Sequence, residues 1–387
     1  MGKQVKTPRF YVDIPTFLHA TGREWALQED LGGAELLYMN PSNPFKRELE
    51  ALVPFKIGGG LGVRNLTSFP INFVALLNHN LASDSHNFVV QARYQDFVEN
   101  EYDGYVWQVL TNRNNFNYTN ILNAETASNP NIKPSYNGSS IFSIDDGNGN
   151  SINNHWESFM IKFNNTDEDG NNYDDYTHQL GSFVVGKYWD APNSPDLSLT
   201  MSRRFDGIKK QKTIGGKTLA NIYYDGPTEW TMHNRYLAAA PSQVYKYPQF
   251  ELDNPDAAVD GQGIIGEHSF NKRAKSGLGR KGLRSWNLTF SYISEDDMWM
   301  DYESSNILIS STASSGLSNP MLEDDSFNFV WNCTLGGTLP FIFQPDNSET
   351  GNNPDRFAIC TFRNNTLSVK QVAFNTYSLS ITIDEVA

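Results

Sequence analysis

The sequence has almost no cysteine, and its two, Cys333 and Cys360, both fall in apolar runs near the C-terminus. A disulfide framework of the kind that staples small secreted domains is thereby excluded. A chain folded in a reducing cytoplasm is expected, its two thiols either buried separately or joined as one pair between neighbouring strands. No uninterrupted apolar stretch approaches the roughly 18 residues of a membrane-spanning helix, and the segment from Met1 to Lys6 lacks the apolar centre of a signal peptide. Lys6 also stands where a myristoylation signal at Gly2 wants serine or threonine. Positive charge is scarce: 30 Lys and Arg stand against 44 Asp and Glu, a net −14. Phosphate backbones are bound through cationic surplus, so sequence-specific nucleic-acid binding is not expected.

What the chain does have is aromatic side chains, 13% of 387 residues, and asparagine at roughly one residue in ten, clustered with Gly, Asp and Ser. Aromatic and β-branched side chains suit a pleated, half-buried surface, while Asn, Asp and Gly are turn formers. The expected fold class is therefore mainly β: antiparallel β-sandwich domains with long loops and one or two short helices. The length allows two or three domains. Composition divides the chain into an N-terminal β-rich domain (1–100), a loop-rich insertion (101–182) and β-sandwich structure from 183 to 387.

Alternation places the strands. Phe10, Val12 and Ile14 precede Pro15, which predicts an edge or terminal strand. Tyr105, Trp107 and Val109 predict another, and regular structure returns at Phe183–Trp189. Leu197, Leu199 and Met201 alternate with Ser198 and Thr200; Trp286, Leu288, Phe290 and Tyr292 repeat the pattern. Ser294 followed by Glu295, Asp296 and Asp297 predicts a capped short helix with acids in its first turn. Phe327, Phe329, Trp331, Cys333 and Leu335 read as a strand ending at the Gly336-Gly337 turn, with further strands at Leu339–Phe343, from Leu367, and at Tyr377–Ile383.

Little in the sequence points to chemistry. Seven histidines are scattered without the i, i+4 spacing of a helical zinc site, and neither cysteine has a nucleophile's setting. Gly58-Gly59-Gly60-Leu61-Gly62 lacks both the third glycine of a dinucleotide fingerprint and the lysine of a P-loop, so a hinge or bulge is expected there. Asn165, Asp167, Asp169 and Gly170 match the first half of a calcium loop, but Tyr176 occupies the place of the bidentate glutamate, so an acidic turn is the plainer reading. Carboxylate pairs such as Asp145/Asp146 and Asp296/Asp297 read as a solvated loop and a helix cap rather than as a glycosidase pair. No catalytic residue, cofactor or metal ligand is assigned, and the chain is expected not to be an enzyme.

Charge segregation is the more informative feature. Arg203, Arg204, Lys209, Lys210, Lys212 and Lys217 form one basic segment, and Lys272, Arg273, Lys275, Arg280, Lys281 and Arg284 form another. In so acidic a chain these are candidate contacts with acidic faces of neighbouring copies, or else solvated hairpin loops.

The run from Gly279 to Asp297, in which basic residues precede Trp286, an alternating strand and an acidic turn, resembles phage tail proteins, among them distal tail and baseplate subunits and their marine-phage relatives. The ending resembles them too, from Pro340-Phe341-Ile342-Phe343-Gln344-Pro345-Asp346 through Phe357–Cys360 to the closing strands at 367–383, as does Ser194–Thr200 followed by Gly215-Gly216-Lys217. The resemblance covers about 185–387. It implies a structural virion protein assembled in the host cytoplasm, forming a ring with copies of itself and contacting tube, hub or fibre proteins of the tail. The alternative is a carbohydrate-binding β-sandwich used in host adsorption, with exposed aromatics stacking on sugars.

Overall fold

The computed structural model describes residues 5–22, 25–27, 36–39, 48–49, 55–59, 69–79, 87–98, 101–109, 117–122, 124–126, 132–134, 138–145, 152–156, 158–164, 178–179, 182–204, 208–222, 283–300, 320–348 and 357–386. The fold is mainly β and antiparallel. Its largest element is an 11-stranded sheet built from β1 (Arg9–Asp13), β2 (Phe73–His79), β3 (Asn117–Leu122), β4 (Gly138–Asp145), β5 (Ser182–Asp190), β6 (Thr200–Arg204), β7 (Leu283–Ser294), β8 (Phe341–Gln344), β9 (Ala358–Phe362), β10 (Val369–Ala373) and β11 (Thr376–Glu385). The strand order is β6-β7-β11-β9-β8-β1-β5-β2-β4-β3, with β10 added alongside β11. Strands of this one sheet come from each of the stretches 1–100, 101–182 and 183–387.

A second, 7-stranded sheet includes Asn87–Val98, Glu101–Val109 and Ser158–Asn164. It packs on the first, sheet against sheet: Val90, Ala92, Phe159 and Ile161 share one core with Phe142, Phe183 and Val185, and the rings of Phe159 and Phe183 lie 6.5 Å apart. Gly58 and Gly59, where a hinge was expected, pair within this sheet as part of the strand Phe55–Gly59.

The same core continues beneath four short helices: α1 (Ile14–Ala20), α2 (Glu295–Met298), α3 (Pro320–Glu323) and α4 (Phe327–Cys333). Its hub is Phe10, fully buried, with the rings of Trp189, Phe327, Phe341, Phe343 and Phe362 all within 6.4 Å. So many offset and edge-on ring pairs explain why this chain depends on aromatics rather than on leucine.

Several readings of the sequence change. The strand at Phe10 is internal, paired with β5 on one side and β8 on the other. Pro15 does not mark a sheet edge; it sits in the first turn of α1, where a missing N–H is harmless. Phe327–Cys333 is a helix, not a strand. Phe327, Val330 and Cys333 recur every third residue and are all buried, a spacing that one helix face satisfies as well as alternation satisfies a strand. The turn at Gly336-Gly337 stands, with both residues at positive φ, and hands the chain to β8.

In β7 the residues Trp286, Leu288 and Phe290 are buried as the alternation requires, but the register shifts between Phe290 and Ile293, so that Ile293 turns inward and Tyr292 outward. Leu197 precedes its strand and is fully exposed; the strand begins at Thr200. Ser294 caps α2 as expected, its Oγ accepting from Asp297 N at 3.2 Å. Cys333 and Cys360 are both free and buried, and burial pushes both thiols up.

Candidate assembly surface

The described cations divide by what they contact. Five are engaged within the chain, the simplest being Lys6, which reaches Asp346 at 3.2 Å. Arg9 grips Asp190 with two bonds of 2.6 Å and lies 3.7 Å over the Tyr188 ring. Lys187, buried in the middle of an apolar strand, donates to the carbonyls of Glu323 and Asp324 at the end of α3 and reaches Asp325 at 2.6 Å. It thereby ties the helical layer to the sheet. Arg363 spans Asp384 and Ser285 on the open face. Arg284 is 8% exposed and closes on Glu385 and on the carbonyl of Phe357.

Arg284 therefore departs from its expected role. In β7 it shares the inward-facing parity of Trp286, so its guanidinium is satisfied inside the sheet rather than presented to a neighbour. Lys272, Arg273, Lys275, Arg280 and Lys281 lie outside the described residues, as does the acidic loop at 165–177. Arg203 is exposed on β6, and Arg204 ends that strand.

Lys209 and Lys210 belong to a separate two-stranded hairpin, Ile208–Lys212 paired with Thr218–Ile222. Its sequence holds Lys209, Lys210, Lys212 and Lys217 and no acid. The tip is firmly shaped. Gly216 N donates to Thr213 O at 2.9 Å, Thr213 N donates to Lys217 O at 2.8 Å, and Gly216 takes φ +80, a value glycine reaches without strain. Ile214 is thereby held fully exposed, with Leu219 also outward, and the side chains from Lys210 to Leu219 are exposed except for Thr213. A two-stranded hairpin with both faces in water is marginal by itself. Sequence reasoning found its charge but missed its exposed isoleucine, whose signal was an apolar residue at the tip of a Gly-Gly turn.

The large sheet offers a second exposed region. Around Tyr11, Phe73, Val184, Ile342 and Ile359 its outer face is buried and apolar. Two residues beyond Ile359, at Thr361, that face becomes polar. Ser202 stands opposite Ser285, Thr200 opposite Asn287, Asn287 opposite Thr382 and Thr289 opposite Ser380. The hydroxyls of Thr289 and Ser380 are 3.1 Å apart, and Thr382 donates to Asn287 at 3.4 Å. At one end of this face lie the exposed aromatics Tyr292 and Phe374, 73% and 88% accessible.

One buried group was not anticipated. Asp13, at the end of β1, receives the Thr16 hydroxyl on Oδ2, and among the described residues its Oδ1 has no hydrogen-bond partner. Burial pushes its carboxyl up to about 7, with the Thr16 hydroxyl and backbone bonds at Val185 and Thr16 pulling the other way. Tyr38 N donates to the same Thr16 hydroxyl, and its phenol lies 2.7 Å from His19 Nδ1.

No family model, curated protein or solved structure matches this chain. Its surfaces therefore carry the functional argument. Among the described residues no helix is long and apolar enough to cross a membrane.

Proposed function

We propose that this chain is a structural subunit of a bacteriophage tail, a distal tail, baseplate or tube-associated ring component that acts by joining copies of itself and docking other tail proteins in the virion. The single observation that carries the reading is the hairpin at 208–222: lysines and an isoleucine, held in a defined turn, projecting from a chain of net −14 while Arg9, Lys187 and Arg284 are spent inside it. Charge separated in this way gives orientation and association rate between identical acidic molecules. The tail identity comes from the sequence resemblance over 185–387. Negative-stain electron microscopy of the purified full chain, alone and with tube or baseplate proteins from the same genome, tests it. Rings or short stacks are expected; dispersed single particles under every condition would sink the reading.

A second reading has its own observation. The rows of Ser, Thr and Asn on the exposed part of the sheet, with Tyr292 and Phe374 at their end, are the groups that hydrogen-bond and stack on sugars. A glycan array distinguishes it: saturable binding by dispersed monomers, lost in Asn287→Ala, favours adsorption over assembly.

A further inference from the structure

The two regions of exposed apolar surface described above match one another. The hairpin presents Ile214 between Lys212 and Lys217. The end of β7 presents Tyr292, three residues before the acidic start of α2, and Glu295 N donates to Asn375 O at 3.2 Å, which sets the Phe374–Asn375 turn against that helix. The chain at Tyr292 and the Phe374–Asn375 turn thus both adjoin the start of α2, where Glu295 and Asp296 are exposed. One surface is apolar with a basic margin; the other is apolar with an acidic margin.

We propose that the hairpin tip of one copy seats on the Tyr292–Phe374 surface of a second copy, Ile214 against the two rings and Lys212 and Lys217 against Glu295 and Asp296. The proposal rests on the self-assembly reading above and names its interface. The occupant is another copy of this chain because the hairpin carries four lysines and no acid while the rest of the chain is more acidic than −14. Burying Ile214 and two aromatic rings supplies the apolar centre that a stable contact needs, and the charges around it exclude the wrong orientation. The two surfaces belong to different parts of the chain, so the contact is head-to-tail. Such a contact closes into a ring when its rotation divides a full turn and otherwise continues as a filament.

The experiment is a charge exchange on the full chain, followed by sedimentation velocity and electron microscopy, with circular dichroism to check folding. Lys212→Glu with Lys217→Glu, and separately Glu295→Lys with Asp296→Lys, are each expected to lower the assembled fraction at least tenfold. The variant carrying all four changes has complementary surfaces again and is expected to regain assembly. Ile214→Ser should weaken assembly without changing its response to salt. If either double variant assembles like the unaltered chain, or if the fourfold variant stays dispersed while folded, this interface is wrong and the assembly reading stands on other contacts. If the unaltered chain never assembles, both fall together.

Discussion

Arg284 and Glu385 close on each other across the ends of β7 and β11, with Nη2 2.7 Å from Oε1 and Nε 2.9 Å from Oε2. The second bond from Nη2, to the Phe357 carbonyl, joins β7 and β11 to the segment that enters β9. Both side chains are nearly buried, at 9% and 12% exposure. Removing one partner leaves the other charge uncompensated in a place water reaches poorly, a loss of about 3–5 kcal/mol. Arg284→Glu is accordingly expected to destabilise the monomer rather than to block assembly selectively. Denaturant unfolding decides it: an unchanged midpoint with lost assembly would return Arg284 to the surface role first expected of it.

Phe10→Ala should be among the most damaging single truncations in the chain. The ring is fully buried and contacted from β5, β8, β9 and α4, so its removal opens a cavity that four elements would have to close together. A loss of about 3–5 kcal/mol is expected, read as a shift in the unfolding midpoint. Phe10→Leu should recover much of it.

What the sequence made legible follows from how local each signal is. The alternation in β7 and β11 is long enough to announce strands, and Ser294 with three acids announces its helix, because cap and first turn are neighbours in sequence. At Phe327–Cys333 seven residues fit both periods, and only the sheet beneath them selects the helix. The internal position of β1 was invisible for a similar reason: its partners Ser182–Asp190 and Phe341–Gln344 are far away in sequence, and Pro15 mimics the punctuation of an edge. Basic residues could be counted, but whether each faces water depends on strand parity and tertiary partners. That is why Lys210 and Arg284, alike as members of basic segments, end in opposite environments.

Gly186→Ala should destabilise, against the usual gain from replacing glycine in a strand. Gly186 faces Asp13 across the β1–β5 pair, and a Cβ built there would lie 2.2 Å from the Val12 carbonyl oxygen and 3.1 Å from Ile14 N. Both contacts are backbone, Gly186 is paired with Phe73 on its other side, and β1 is anchored to β8 just upstream at Arg9–Tyr11, so neither strand can retreat cheaply. An overpacking loss of about 1–3 kcal/mol or more is expected in chemical denaturation. A neutral result would mean that β1 moves more freely than its two-sided pairing implies.

Asp13 makes stability depend on pH in a definite direction. Its carboxyl is pushed up to about 7 by burial in the fold, whereas in an unfolded chain it titrates near the ordinary value of about 3.9. Below that lower value both states hold the proton and the group contributes no penalty. Between the two values the unfolded chain has released a proton that the folded chain retains, so folding loses about 1.4 kcal/mol for each pH unit gained. Above about 7 both states are ionised and the penalty stays constant. Asn cannot ionise, so the unfolding free energy of Asp13→Asn minus that of the unaltered chain should climb from pH 4 to pH 7 and then level. Other carboxylates contribute equally to both proteins and cancel in this difference. Parallel stability profiles from pH 4 to 8 would mean that Asp13 is ionised in the fold, with a partner on Oδ1 after all.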